Sequence, residues 1–209
     1  MDYRQQDQTI LGEVWNSSAL ESCIRYLCDE CNGRFAGTAD ERRAGDYMLK
    51  WYQDCGLENV HLHTFEMRGW QRGESRLSII FSDGKGTQSL VSAAMAGSPA
   101  ASIEAEVIDA GVGTPEDIDK LGEAVKGKIV LTSAEGPHRS VKYNAAQAAG
   151  AVGFIIAHGI PGGTTPVGSV SLHQGVPMIP GIGVSLETAG YLKRRLKEGS
   201  VRLGLVTES

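Results

Sequence analysis

Long apolar runs are missing from this chain. No stretch approaches the roughly 18 to 20 residues that a membrane-crossing helix needs. A basic stripe is missing too: Lys and Arg number 20 against 25 Asp and Glu, for a formal charge of −5, so no row of cations waits to meet phosphates and nucleic-acid binding is not expected. The basic residues are scattered apart from Lys193, Arg194, Arg195 and Lys197. These fall where a helix should end and suit the negative end of its dipole, the alternative being a site for an acidic partner. The opening MDYRQQDQTILGEVW lacks the basic-then-apolar layout of an export leader. The expectation is a soluble, cytoplasmic protein with no membrane partner.

The common catalytic and cofactor motifs are equally scarce. GVGTPED (Gly111 to Asp117) sits where a phosphate loop would, but Glu116 replaces the third glycine and would repel a pyrophosphate. Thr114 as cap, Pro115 in the first turn and the acids behind it describe an ordinary helix start. GIGVSL (Gly181 to Leu186) fails the same test at Leu186, and no G-x-x-x-x-G-K-[ST] loop occurs. There is no H-E-x-x-H and no G-x-S-x-G elbow. Cys28 and Cys31 form a C-x-x-C, with Cys23 and Cys55 nearby, which admits zinc or a disulfide. Three of the four fall on apolar helix stripes, however, where a thiol serves as a small core residue. His61 and His63 share one face of an expected strand, a spacing open to zinc, yet no third ligand accompanies them. From its own residues the chain reads as non-catalytic and without a cofactor.

What it has in excess is glycine: 27 in 209 residues, nearly twice the usual roughly 7%. Most follow residue 69 and predict many tight turns between short strands. Residues 1–66 read instead as two helices and a strand. Ser17 or Ser18 caps the first helix, which repeats Leu20, Ile24, Leu27, Cys28 and Cys31 at spacings of three and four. TADE (Thr38 to Glu41) is a capping box for the second, whose apolar face is Ala44, Tyr47, Met48, Trp51, Tyr52 and Cys55. The strand is the alternating NVHLHTFEM.

Across 67–209 the candidate strands are RLSIIFS, SLVSAAM, IEAEVIDAG, GKIVLTSA, AVGFIIAHG and VRLGLVTE, with helices near 140–149 and 185–197. Ser185 caps the second of these and Gly199 stops it. The predicted class is α+β, a small β-sandwich or barrel-like domain flanked by short helices and preceded by the two-helix-plus-strand segment. In KYNAAQAAGAVGFIIAHG (142–159) an alanine-rich helix runs through Gly150 directly into a strand. Alanines let a helix approach a sheet closely, so leucine at Ala148 or Ala149 is expected to overpack it by roughly 1–3 kcal/mol.

Three stretches, DAGVGTPEDIDKLGEAVKGKIVLTSAEG, KYNAAQAAGAVGFIIAHG and VPMIPGIGVSLETAGYL, come in the order found in a protease-associated (PA) domain, which this part of the chain resembles. Residues 33–57, GRFAGTADERRAGDYMLKWYQDCGL, followed by VHLHTFEMRGW, resemble the entry to the catalytic domain of di-zinc aminopeptidases and glutamate carboxypeptidases, in which a PA domain is inserted. The resemblance implies an N-terminal segment at 1–66 and a PA domain at 67–209, together forming the front part of a zinc exopeptidase. The family's H-x-D, paired glutamates and later ligands have no counterpart here. No catalytic or metal residue carries over, and zinc is expected only in the parent enzyme.

PA domains shape or cover a substrate cleft rather than cut. The expected peptide-contact residues are therefore His138 and Arg139 in GPHRS and His173 in the loop at 159–175, with the arginine suited to a substrate carboxylate. The alternative is a stand-alone peptide- or protein-binding module that forms a homodimer through its N-terminal helices, whose apolar faces otherwise lack a cover. A complete small hydrolase built on His61 and His63 is a third reading.

Overall fold

In the computed structural model, which describes residues 3–67, 69–81, 86–170 and 177–208, the chain divides into two compact units, Met1–Trp70 and Gln71–Ser209. The first holds α1 (Arg4–Asn16), α2 (Ala19–Asp29) and α3 (Ala39–Asp54). Three helices stand where two were expected. α1 has no buried residue, and its apolar Ile10, Leu11, Val14 and Trp15 all face solvent. Ser17 Oγ accepts the Ala19 N–H at 3.1 Å at the head of α2. At α3, Thr38 Oγ1 accepts the Glu41 N–H as foreseen (3.3 Å), but the Glu41 carboxylate reaches back to the Gly37 N–H rather than to Thr38.

Packing between α2 and α3 is aromatic. Tyr26 stacks on Tyr47 with centroids 4.0 Å apart, and Tyr47 meets Trp51 edge-on. The thiol expectation needs correcting: Cys31 is fully buried, whereas Cys28 and Cys55 are exposed. NVHLHTFEM forms no strand among its described residues. Alternation alone cannot make one, because an extended segment must find a neighbour for its N–H and C=O groups.

The second unit contains β1 (Ser75–Ile80), β2 (Thr87–Leu90), β3 (Ser92–Ala94), β4 (Ala101–Asp109), α4 (Pro115–Leu121), β5 (Ile129–Thr132), α5 (Arg139–Ala148), β6 (Gly153–Ala157), β7 (Gly181–Val184), α6 (Leu186–Glu198) and β8 (Arg202–Thr207). The class is α+β, built on one mixed eight-stranded sheet of order β2-β1-β8-β4-β5-β6-β7-β3. β4 to β7 run parallel and the remaining pairs are antiparallel. The expected strand SLVSAAM is two strands at opposite edges of the sheet, separated by the exposed Val91. The sheet curls until β3 returns towards β1: the Ala94 N–H donates to Ser75 Oγ (3.1 Å), and Arg72 Nε donates to the Ala94 carbonyl (3.1 Å).

Both faces of the parallel strands are covered, so they read as continuous apolar runs rather than alternations. Along β5, Ile129 and Leu131 join a core with Ile155, Leu192 and Leu203 under α6. Val130 turns to the other face, where Ile118, Tyr143, Ala146 and Phe154 pack beneath α4 and α5. β7 is the GIGV of the stretch that fails as a phosphate loop, and it is a fully buried strand. Its glycines serve close approach, since a Cβ on Gly183 would stand 2.9 Å from Pro166 Cγ, and one on Gly181 2.7 Å from Val170 Cγ1. Among the described residues no helix is long and apolar enough to cross a membrane.

Candidate functional site

Four parallel strands place the loops that follow them on one rim. The turn Gly111–Gly113 follows β4, the segment Ser133–His138 follows β5, the chain from His158 follows β6, and Ser185 follows β7. Ligands of parallel sheets gather beyond the carboxyl ends of their strands, which makes this rim the first place to look. α4, α5 and α6 all begin there, and in each a capping side chain accepts one of the first-turn N–H groups. Thr114 and Asp117 form a reciprocal capping box (3.1 and 3.2 Å), so the Asp117 carboxyl is held below its ordinary value chiefly by hydrogen bonding to Thr114. His138 Nδ1 accepts the Ser140 N–H at 3.3 Å, and Ser185 Oγ accepts the Thr188 N–H at 3.1 Å.

Of the three expected contact residues, two lie side by side on this rim. His138 is exposed, with Nδ1 2.8 Å from Ser140 Oγ. Arg139 is half-buried: its Nε donates to the Ser169 carbonyl at 2.6 Å, and its guanidinium lies so close over Gly168 that a Cβ there would stand 2.6 Å from Nε. The arginine therefore ties the β5–α5 loop to the β6–β7 connection. His173 lies outside the described residues.

Two rim residues went unnoticed in the sequence. The exposed Glu187 carboxylate, in the first turn of α6, accepts the N–H groups of Gly162 (2.8 Å) and Gly163 (3.2 Å). These bonds, Gly162 first, pull its pKa to about 2. Lys142 on α5 has no solvent exposure; its Nζ donates to the carbonyls of Ser133 (2.8 Å) and Glu135. Burial pushes its pKa down, opposed by the nearby Glu135 and Asp117 carboxylates. The signal was available: Lys142 and Ala146 are four apart, and Tyr143 and Ala146 define the inner face of α5. Beside Lys142, the Tyr143 hydroxyl donates to the Ile179 carbonyl at 2.7 Å, and burial raises its pKa.

The basic cluster on α6 is partly spent inside the molecule. Lys193 pairs with Asp109 at 3.1 Å and Arg195 with Glu198 at 3.1 Å. At the other end of α5, an open cleft of about 360 Å³ lies between Ile118, Asp119, Glu123, Lys126 and Ala148 to Gly150. Ala148 is exposed there, so overpacking is not expected at that position, whereas the half-buried Ala149 packs against the core beneath α5. Ala146, with no exposure, makes the closest contact of the three.

For zinc, the residues present do not fit. Among the described residues no group of three or more His, Cys, Asp or Glu side chains comes together. His61 and His63 are both exposed, and His61 Nδ1 lies 2.7 Å from the Asn59 carbonyl.

The geometry has close parallels among known proteins. Mouse carboxypeptidase Q is 27% identical over 186 residues, covering 85% of this chain and 39% of its own length. The fold matches a zinc aminopeptidase from Bacillus subtilis with a TM-score of 0.67 at 23% identity, over 90% of this chain and 42% of that one. It matches a peptidase precursor from Shewanella amazonensis with a TM-score of 0.76 at 23% identity, over 97% and 49%. The chain thus spans about two fifths of the length of the curated relatives it matches. The PA domain pattern matches residues 85–192, just over half of the sequence. On that match the chain belongs to the PA domain family.

Proposed function

We propose that this chain is the PA-bearing portion of a zinc-dependent, aminopeptidase-like exopeptidase, in which its rim loops shape or cover the substrate cleft and touch the peptide while the cutting is done elsewhere. One observation carries this reading. The likeness to the Shewanella peptidase precursor covers 97% of the chain, more than Gln71–Ser209 could supply alone, so both units have counterparts in a longer protein. In this reading residues 1–66 begin a catalytic domain, residues 67–209 form the PA domain, and zinc belongs to the parent. His138 and Arg139 are the rim groups offered to substrate, the arginine suiting a carboxylate. The test is the size of the gene product in its source cells, by immunoblot against this region, followed by hydrolysis of an aminoacyl anilide with and without chelator. A band well above 22.3 kDa with chelator-sensitive hydrolysis supports the proposal. A larger product that never hydrolyses the anilide or peptides overturns it.

A second reading is favoured by the first unit's surface. Val14 and Trp15 are 73% and 90% exposed, and Leu20, Ile24 and Phe65 are exposed as well. Apolar surface of this kind marks an interaction site. The alternative is a stand-alone module that binds peptide or protein and forms homodimers through the N-terminal helices. A native product near 22.3 kDa that light scattering shows to be dimeric would favour it, and a monomer with slow amide exchange across 17–65 would remove it.

A further inference from the structure

The turn Gly111–Gly113 and the turn Ser133–Gly136 interlock. The Ser133 N–H donates to the Gly111 carbonyl (2.8 Å), and a Cβ on Gly136 would stand 2.5 Å from Val112 Cγ1. Lys142 lies beneath both. Its stem passes 3.6 Å from where a Cβ on Gly113 would be, and its ammonium takes the carbonyls of Ser133 and Glu135. A fully buried ammonium is costly unless hydrogen bonds compensate it, and a methionine would fill the same space without that cost. A charge kept here therefore points to the carbonyls it holds.

We propose that Lys142 is a positioning residue: its ammonium holds the β5–α5 turn, which the Ser133–Gly111 bond joins to the β4–α4 turn as one wall of the rim, fixing where His138 and Arg139 are presented to a peptide. The presentation part rests on the function proposed above; the lock does not. The wall continues through Arg139, whose bond to the Ser169 carbonyl extends it to the β6–β7 connection.

Lys142→Met separates the ammonium from the stem, because it keeps the length and apolar packing and removes only the donors. Expected is at least tenfold faster amide hydrogen exchange in both turns, 110–114 and 133–138, with exchange in β6 (153–157) unchanged. Unchanged exchange in the turns overturns the proposal, as does an equal rise everywhere. Should Lys142→Met fail to fold, the wild-type protein still decides. Nitrogen NMR of the lysine side chains should show a slowly exchanging Nζ signal coupled across hydrogen bonds to the carbonyl carbons of Ser133 and Glu135. An Nζ signal in fast exchange with water, as for a surface lysine, overturns the lock. Titration with a short alanine peptide bearing free termini tests the presentation separately. Binding weakened by Lys142→Met supports it, whereas faster turn exchange with no binding to either protein keeps the lock and removes the contact reading.

Discussion

Gly113 and Thr132 approach so closely that a Cβ on the glycine would stand 2.9 Å from the threonine's own Cβ, with the methyl group nearer still. The glycine also sits at φ +77, where L side chains are strained. Gly111, two residues earlier, has a φ of +61 but open space around it. The pair separates strain from contact. Gly111→Ala should cost about 1–2 kcal/mol from the left-handed backbone alone. Gly113→Ala should cost about 2–4 kcal/mol, the same strain plus overpacking. Urea unfolding of the two variants checks this, and equal losses would show that Thr132 gives way freely.

α5 sorts its alanines by depth. Ala146 is fully buried between α5 and the sheet, while Ala148 faces the open cleft beside Lys126. Leucine at 146 should destabilise by about 1–3 kcal/mol, because the helix cannot retreat from the sheet without breaking its other contacts. Leucine at 148 should change stability by no more than about 0.5 kcal/mol. Thermal melting distinguishes them: a loss at 148 as large as that at 146 would put the tight contact at the wrong end of the helix.

That reassignment shows what the sequence made legible. Elements defined by local chemistry were readable: Ser185 with its Thr188 N–H, Thr114 before Pro115, and the β-branched runs of β5 and β6. Elements defined by distant partners were not. SLVSAAM reads as one strand because nothing in it says that its halves pair with β1 and β7 at opposite edges of the sheet. NVHLHTFEM alternates well yet pairs with no strand among the described residues. The candidate site divides in the same way. His138 and Arg139 stand in a recognisable turn, but the bonds that define the rim link residues 24 to 30 apart, Glu187 with Gly163 and Arg139 with Ser169, and no spacing rule joins them.

Glu187 gives the loop after β6 a dependence on acid. Hydrogen bonds from Gly162, Gly163 and its own turn lower its pKa from 4.5 to about 2. A lowered carboxylate contributes stability that is fully present above pH 4.5 and lost as pH falls through about 2. Amide exchange at Gly162 and Gly163, corrected for the intrinsic effect of pH, should therefore quicken progressively in the wild type as pH falls from 4.5 towards about 2. Glu187→Gln should exchange faster there and show no further change with acid. A wild-type loop whose exchange does not change between pH 4.5 and about 2 would mean that the two N–H groups do not hold the carboxylate.

Lys142 reverses the usual behaviour of a lysine. Burial lowers its pKa below 10.5 in the folded protein, so between that lowered value and 10.5 the unfolded chain binds more protons than the folded one. Stability from this residue must then rise with pH across that interval, whereas a lysine gaining a carboxylate partner would lose stability as pH rose past 10.5. Other groups titrate nearby. Tyr143, with its raised pKa, pulls in the opposite direction above 10, and the Glu135 and Asp117 carboxylates lie close enough to act on the ammonium. Lys142→Met keeps all three, so the difference between wild type and variant isolates the lysine. Urea unfolding at steps from neutrality to pH 10.5 should show that difference moving in favour of the wild type as pH rises. Movement the other way would mean that the carbonyls of Ser133 and Glu135 favour the charged form by more than burial opposes it, and the lysine would then be held chiefly by its charge.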